Sequence, residues 1–310
     1  MSQPPTFVPP PGARARRLRT ARGEFAVVDA PAAAGTEPRG TALLLPGYTG
    51  SKEDFNPLHA PLAARGYRTV AVDGRGQFES DGPADDESAY AQEELARDVL
   101  AQAGALGTRV HLVGHSLGGQ IARAAVLLDH SLFRSLTLMA SGPAQISEAQ
   151  QQRVKLLRDA LAMMTMAQVW QVMQGTEAPE EAVTGAGPAA CAPAASAPAP
   201  AVARAEDLRR RWLATKPAQL LATGRQLCEE PDRVAELAAV PLPFHVLSGV
   251  RDDTWPVSLL DDMAARLGAR RTVIDGAEHS PNCDQPLATA RALADFWDTV
   301  PAEAADTDEA

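Results

Sequence analysis

Short apolar runs alternate along the chain with longer segments that carry the apolar spacing of helices. The runs have the length of β-strands and end near Gly, Asp or Ser, residues that are typical of turns. Several are apolar almost throughout, as is typical of strands buried on both faces of a parallel sheet. The predicted strands are EFAVVDA, TALLLPG, YRTVAVDG, RVHLVGH, SLTLMAS, PFHVLSG and RTVIDG.

The segments between these runs are predicted helices. Strands that alternate with helices predict an α/β fold in which helices cover both faces of the sheet. The predicted helices are DFNPLHAPLAARG, SAYAQEELARDVLAQAGAL, SLGGQIARAAVLLDH, SLLDDMAARLG and QPLATARALADFWDTV.

The alternation is interrupted once, from about residue 144 to residue 230. This stretch contains helical periods and no strand pattern, so it is a predicted helical insertion in an α/β domain formed by residues 13–143 and 231–300. Within it, residues 178–205 are rich in Ala and Pro and nearly lack large apolar side chains. Such a segment cannot bury enough surface to offset its ordering entropy, and we predict a mobile linker there.

Both ends of the chain have the composition of disordered segments. Residues 1–12 are rich in proline, and residues 301–310 are acidic and almost free of large apolar side chains. We predict that both are disordered.

The charge and cysteine content narrow the possible functions. The net charge of −10 argues against a nucleic-acid partner, because such partners require basic surfaces. The three cysteines are widely spaced and odd in number, and no CxxC pair or Cys/His cluster has metal-ligand spacing. A disulfide scaffold is therefore not expected, and reduced thiols in a cytoplasmic protein are. The chain shows no signal-peptide pattern and no apolar run of the ~18 residues that span a membrane. The cysteines are Cys191, Cys228 and Cys283.

Five arginines cluster near the start of the chain. They are compatible with a site for an anionic partner, but a solvated early strand is the favoured interpretation. The five are Arg14, Arg16, Arg17, Arg19 and Arg22.

The pentapeptide Gly114-His115-Ser116-Leu117-Gly118 follows a predicted strand and begins a predicted helix. A G-x-S-x-G pattern in this context is typical of a nucleophilic serine on a sharp turn above the sheet. The alternative is a tight strand-to-helix turn that contains an incidental serine. A nucleophilic serine needs a base to accept its proton and a carboxylate to orient that base.

One histidine is placed to act as that base. His279 follows the last predicted strand, at the edge of the sheet where Ser116 is expected. The loop after the preceding strand offers Asp252 and Asp253 as the carboxylate, and the spacing Gly249-x-x-Asp252-x-x-x-Pro256 favours Asp252. His115 is expected to pack beneath the turn. The remaining histidines lie in or beside predicted elements and are interpreted as structural: His59, His111, His130 and His245.

Five segments in this order resemble the α/β-hydrolase family: LLLPGYTG, VAVDGRGQFESDG, GHSLGG, GVRDDTWP and GAEHSPNCDQP. The resemblance implies an eight-stranded, mostly parallel sheet with a helical cap inserted after the sixth strand. It also implies Ser116 as nucleophile, Asp252 as acid and His279 as base. The family turn that DGRGQFES resembles is mainly structural, and we assign it no chemistry.

The resemblance further implies that an oxyanion is stabilised by two backbone N–H groups, those of Leu117 and Tyr48. Many relatives carry His-Gly where this chain has Pro46-Gly47, so the hydrogen bonds of this loop must differ. Thr49 is therefore an alternative to Tyr48 as the second donor.

The expected activity is hydrolysis of carboxylic esters, thioesters or lactones through an acyl-enzyme on Ser116, on a small-molecule substrate with an apolar acyl group. Acyl transfer, carbon–carbon bond hydrolysis and cofactor-free perhydrolysis use the same three residues, and a non-catalytic ligand-binding protein is a further alternative. No cofactor or metal is expected, and the sequence indicates no oligomeric state.

The substrate pocket is expected to involve aromatic and methionine side chains near these loops and in the insertion. The candidates are Phe55, Trp255, Met163 and Trp170, with Tyr48, Met164, Met166 and Met173 as further possibilities. For Trp170 and the methionines, ordinary packing between the inserted helices is the alternative interpretation.

Overall fold

The computed structural model describes residues 2–176 and 201–301. In this part of the chain eight strands form one sheet in the order β1-β2-β4-β3-β5-β6-β7-β8. β2 pairs antiparallel with β1 and β4, and all other neighbours are parallel. The strands are β1 Arg14–Thr20, β2 Gly23–Ala30, β3 Gly40–Leu45, β4 Tyr67–Val72, β5 Val110–His115, β6 Phe133–Met139, β7 Phe244–Gly249 and β8 Arg270–Ile274.

The predicted α/β fold and its seven apolar strands are confirmed. Every residue of β5 and β7 is buried, because helices cover both faces of the sheet at these central strands. The arginine-rich segment forms the edge strand β1, where most side chains are exposed. Several of its arginines pair with acidic residues, as Arg16 does with Asp29 at 2.8 Å. The basic cluster therefore belongs largely to the ion pairs of a solvated strand.

On each face of the sheet, apolar side chains of the strands and helices pack together into one layer. One layer joins the sheet to α2, α3, α8 and α9, and the other joins it to α1 and α11. These helices are α1 Asn56–Ala63, α2 Gln92–Ala105, α3 Leu117–Leu128, α8 Val234–Ala238, α9 Val257–Leu267 and α11 Pro286–Trp297; the short α10 is Pro281–Asp284, and two 3-10 helices are Lys52–Phe55 and Glu87–Tyr90.

Four further helices lie between β6 and β7, within the predicted insertion; they are called the inserted helices below. The predicted mobile linker, residues 178–205, lies outside the described residues up to residue 200, and its last residues begin α6. The inserted helices are α4 Glu148–Met163, α5 Met166–Thr176, α6 Ala201–Ala214 and α7 Pro217–Glu229.

One buried arginine contacts both ends of this insertion. Arg123 of α3 donates hydrogen bonds to the carbonyl oxygens of Gly142 (3.3 Å) and Pro143 (2.8 Å), where the chain leaves β6. Its guanidinium also pairs with Glu230 at 2.7 Å, where the chain returns from α7. Because α3 follows directly from Ser116, this ion pair fixes the ends of the insertion relative to that residue.

The N-terminal segment differs from the expectation of disorder. Residues 2–12 form no strand or helix, yet the Asn56 amide donates to the carbonyl oxygens of Thr6 (3.1 Å) and Val8 (3.3 Å). Phe7 is buried edge-to-face against Phe78, with ring centroids 6.0 Å apart. A single aromatic and a few backbone hydrogen bonds order this segment, and its proline-rich composition gives no sign of them. The predicted disordered tail lies, from residue 302, outside the described residues.

Candidate active site

Ser116 lies on the sharp turn between β5 and α3. Its backbone φ is +54°, in the left-handed region that residues with a side chain rarely adopt. The turn is possible because glycines flank it: a Cβ at Gly114 would lie 2.3 Å from the carbonyl oxygen of Gly118, and one at Gly118 would lie 2.4 Å from that of Leu45. The close approach of three backbone segments therefore requires glycine at both positions, and Ser116 takes the strained conformation between them.

His279 and Asp252 lie beside Ser116, in the loops that follow β8 and β7. The His279 Nε2 atom is 3.1 Å from the Ser116 Oγ, and its Nδ1 is 3.0 Å from both carboxylate oxygens of Asp252. The three side chains thus form one hydrogen-bonded series. They come together because each follows a parallel strand, and such strands end at the same edge of the sheet.

The structure also distinguishes the two candidate aspartates. The Asp252 side chain is fully buried and accepts hydrogen bonds from the backbone N–H of Thr254 (2.8 Å) and Trp255 (3.2 Å). The Asp253 side chain is 66% exposed and pairs with Arg153 of α4 at 3.3 Å. Only Asp252 contacts the imidazole of His279.

His115 contacts the backbone that carries His279. It is buried beneath the turn, as predicted, and its Nε2 lies 2.8 Å from the carbonyl oxygen of His279. Burial and the neighbouring His279 lower the pKa of His115 to about 4. The ring is therefore neutral near pH 7, and its Nε2–H donates to the carbonyl. No local sequence pattern indicates this contact, because the partner lies 164 residues further along the chain.

The loop of residues 46–50 after β3, called the β3 loop below, approaches the serine closely. A Cβ at Gly47 would lie 3.3 Å from the Ser116 Cβ. The carbonyl oxygen of Gly47 accepts hydrogen bonds from the Gln77 amide (3.0 Å) and from the Gly50 N–H (3.1 Å). The other end of the Gln77 amide accepts from the Gly74 N–H at 2.9 Å. Gln77, in the segment to which we assigned no chemistry, therefore fixes the conformation of this loop.

A buried carboxylate, that of Asp54, contacts the residue that follows the β3 loop. Asp54 accepts hydrogen bonds from the Ser51 N–H (3.2 Å) and the Ser2 hydroxyl (2.8 Å), and it pairs with Arg211 of α6 at 3.2 Å. The 3-10 helix that follows the β3 loop, the N-terminal segment and the inserted helices thus meet at Asp54.

A cavity of about 400 Å³ opens above Ser116. One wall is apolar and comes mainly from α4 and α7, while Gln150, Arg153 and Asp253 give another side a polar character. Besides Ser116 and His279, the lining residues are Ser2, Gly47, Tyr48, Thr49, Gly50, His115, Ile146, Gln150, Arg153, Val154, Leu157, Leu227, Asp253, Thr254 and Ser280.

The four predicted pocket residues do not line this cavity. Phe55 is fully buried in the core beside α1. Trp255 is also buried, and its indole N–H donates to the carbonyl oxygen of Ala144 at 3.0 Å. Met163 is 85% exposed, and Trp170 packs among the inserted helices. Residue type alone indicated an apolar side chain, but the packing of each helix decides which side chains face the cavity.

The further methionine candidates also pack elsewhere. Met164, Met166 and Met173 lie against the apolar cluster of the inserted helices. Helix α4 instead contributes Val154 and Leu157 to the cavity. These three methionines therefore contribute to packing between helices.

Within residues 2–176 and 201–301, no three His, Cys, Asp or Glu side chains cluster in a way that could bind a metal ion. Among the helices described there, none has both the length and the apolar character that crossing a bilayer demands.

Comparison with known proteins assigns the family. The model of the alpha/beta hydrolase family matches residues 42–292, and the chain belongs to this family. A thermophilic esterase from Thermogutta terrifontis superposes with a TM-score of 0.68 at 20% identity, over 93% of this chain and 99% of that one. This likeness concerns the fold.

Two sequence relatives differ in how much they cover. An uncharacterised protein of Mycobacterium tuberculosis is 26% identical over 99% of this chain and 87% of its own length. A 2-hydroxy-6-oxononadienedioate/2-hydroxy-6-oxononatrienedioate hydrolase of Paraburkholderia xenovorans is 36% identical over 34% of this chain. That local alignment and another, to a protein of Variovorax paradoxus, span only 37% and 36% of those relatives.

Proposed function

We propose that this protein is a serine hydrolase that cleaves carboxylic esters, thioesters or lactones through an acyl-enzyme on Ser116. The observation that carries the proposal is the hydrogen-bonded series from the Ser116 Oγ through His279 to the buried Asp252. A serine hydroxyl is a poor nucleophile at neutral pH, and this arrangement supplies the base and the orienting carboxylate that it needs.

In the first half of the reaction, His279 Nε2 accepts the hydroxyl proton as the Ser116 Oγ attacks the substrate carbonyl. The carbonyl π electrons move to oxygen and give a tetrahedral oxyanion. Asp252 orients the ring through Nδ1–H and stabilises the imidazolium charge. When the oxyanion collapses, the bond to the leaving group breaks and His279 returns the proton to that group. Ser116 then carries the acyl ester.

In the second half, water takes the place of the leaving group. His279 accepts a proton from the water as its oxygen attacks the acyl carbonyl, and a second oxyanion forms. Collapse of this oxyanion breaks the bond to the Ser116 Oγ, which recovers its proton from His279. The products are the free acid and the original enzyme.

The oxyanion is stabilised by the backbone N–H groups of Leu117 and Tyr48. Leu117 is the first residue of α3, where helix N–H groups and the helix dipole favour negative charge. Tyr48 follows Gly47, which lies against Ser116. One such donor typically contributes about 3 to 4 kcal/mol to transition-state stabilisation. The Gln77 contact to the Gly47 carbonyl supports the assignment of the second donor to this loop, because it holds the loop beside the serine, and Thr49 of the same loop is the alternative donor.

The cavity supports a substrate with a small or medium apolar acyl group. Val154 and Leu157 of α4 and Leu227 of α7 supply an apolar wall above the serine. At about 400 Å³ the cavity is near the lower end of the range for small-molecule sites.

We expect p-nitrophenyl esters with short and medium acyl chains to be hydrolysed faster than the palmitate ester, because a cavity of about 400 Å³ is small for a long acyl chain. The measurement is kcat/KM across an acyl-chain series, with His130→Ala as a control variant of an exposed histidine. Highest kcat/KM for the palmitate ester contradicts the assigned substrate class. Cleavage of a carbon–carbon bond in a vinylogous diketone without ester turnover supports the alternative chemistry instead.

A further inference from the structure

The side chain of Tyr48 leaves the β3 loop and enters the inserted helices. Its hydroxyl donates a hydrogen bond to the carbonyl oxygen of Leu220 in α7, at 2.8 Å. The residue one turn further along α7 is Gly224, where a Cβ would lie 2.6 Å from the Tyr48 hydroxyl oxygen and 3.2 Å from the ring carbon that carries it. The phenol thus occupies a notch in the helix that only glycine leaves open.

Gly224 differs from a helical glycine that has no close neighbour. Glycine lowers helix stability relative to alanine, so its presence in the middle of α7 calls for a reason. At Gly104, near the C-terminal end of α2, an added Cβ would meet nothing within 4 Å, whereas at Gly224 it would meet Tyr48 and, at 3.0 Å, the Cγ1 of Val154. Burial raises the pKa of Tyr48 above its ordinary value, so the hydroxyl stays protonated and remains a donor. Glycine at position 224 is therefore matched to the tyrosine at position 48.

Helix α7 is itself fixed in place by contacts near both ends. The Lys216 N–H, just before the helix, donates to the carbonyl oxygen of Gly76 at 2.9 Å. Glu230, just after it, pairs with the buried Arg123 at 2.7 Å. These contacts fix the position of α7, so a side chain that packs against the helix is held in place as well. It also contributes Leu227 to the cavity wall, so the helix that receives the phenol also borders the substrate site.

We propose that Tyr48 is a positioning residue: its phenol, seated against Gly224, fixes the β3 loop relative to α7 and so aims the Tyr48 N–H at the oxyanion. This inference rests on the proposed function. Two contacts then hold the β3 loop in place: Gln77 donates a hydrogen bond to its Gly47 carbonyl, and the Tyr48 phenol packs against α7. The inserted helices therefore contribute to oxyanion stabilisation without touching the reacting atoms.

The test is a double-mutant cycle of Gly224→Ala and Tyr48→Phe, with Gly104→Ala and Tyr67→Phe as matched controls. Gly224→Ala should lower kcat by about 10- to 100-fold, short of the 10²- to 10³-fold typical for complete loss of one donor, while KM changes much less. Tyr48→Phe adds no bulk and should lower kcat by about two- to tenfold, as expected for one hydrogen bond. The double variant should exceed Gly224→Ala in kcat, since removing the hydroxyl removes the closest clash. Both controls should keep wild-type kcat.

A second readout separates positioning from simple destabilisation. The rate at which a fluorophosphonate modifies Ser116 should fall in parallel with kcat, because its phosphoryl oxygen occupies the same site as the oxyanion. Thermal melting followed by circular dichroism reports stability independently. The inference is wrong if Gly224→Ala keeps wild-type kcat and labelling, or if the effects of the two substitutions simply multiply. Failure of the wild-type protein to react at Ser116 contradicts the proposed function instead.

Discussion

Replacing Ser116 by alanine should lower kcat for ester hydrolysis by about 10⁵- to 10⁶-fold, because the proposed acyl-enzyme forms on the Ser116 hydroxyl. His279→Ala should cause a loss of similar size, since without the base the hydroxyl keeps its proton. The losses of kcat caused by the two substitutions should not be additive, because both residues act in the same proton transfer. The double variant should therefore be no slower than either single variant. Steady-state kinetics with p-nitrophenyl butyrate measure all three.

His130→Ala and circular dichroism are the controls for this prediction. His130 is exposed and lies two residues after α3, and its replacement should leave kcat unchanged. The alanine variants should keep the wild-type melting temperature within a few degrees, because each side chain contributes little to the core. Turnover within tenfold of wild type in Ser116→Ala would show that another residue is the nucleophile.

Asp252→Asn should lower kcat by about 10⁴-fold while the fold is retained. An amide at this position can still accept hydrogen bonds from the N–H groups of Thr254 and Trp255 through its oxygen. It cannot stabilise the imidazolium charge, and its NH₂ group favours the wrong tautomer of His279. The loss should therefore appear in kcat and leave thermal stability nearly unchanged.

Asp253→Asn is the matched comparison, because it changes the neighbouring carboxylate in the same way. Asp253 is 66% exposed and contacts Arg153 and Gln150 of α4, not His279. Exposed ion pairs contribute little, so kcat should stay within a few fold of wild type. A larger loss of kcat in Asp253→Asn than in Asp252→Asn would overturn the assignment of the acid.

The sheet could be predicted from the sequence because burial on both faces makes a parallel strand apolar throughout. The runs VHLVGH and FHVLSG became β5 and β7, which are buried at every position. The edge strand β1 gave no such apolar signal, since an exposed edge carries arginines. A strand can thus be predicted from an apolar run in the sequence where helices cover both of its faces.

The three residues of the hydrogen-bonded series were also accessible from sequence, because each directly follows a predicted strand. Contacts between distant segments were not. The bond from His115 to the His279 carbonyl joins residues 164 positions apart, and no local pattern reports it. The same holds for Gln77, whose partner is Gly47.

The inserted helices were the least predictable part of the site. Met163 was expected at the pocket and is 85% exposed, whereas Val154 on the same helix faces the cavity. Helical periodicity marks which residues share a face, but the direction of that face depends on how α4 packs against α7 and the body. Only the tertiary structure contains that information.

The proposed mechanism requires that Ser116 becomes covalently acylated during turnover, and a fluorophosphonate reports on the nucleophile that carries the acyl group. The measurement is peptide mapping by mass spectrometry after the reagent has abolished esterase activity, with His279→Ala treated in parallel. We predict one phosphonyl group per chain, located on Ser116, and little or no modification of His279→Ala over the same time. Complete inactivation with the label on a different residue, or full activity with Ser116 phosphonylated, would show that Ser116 is not the nucleophile.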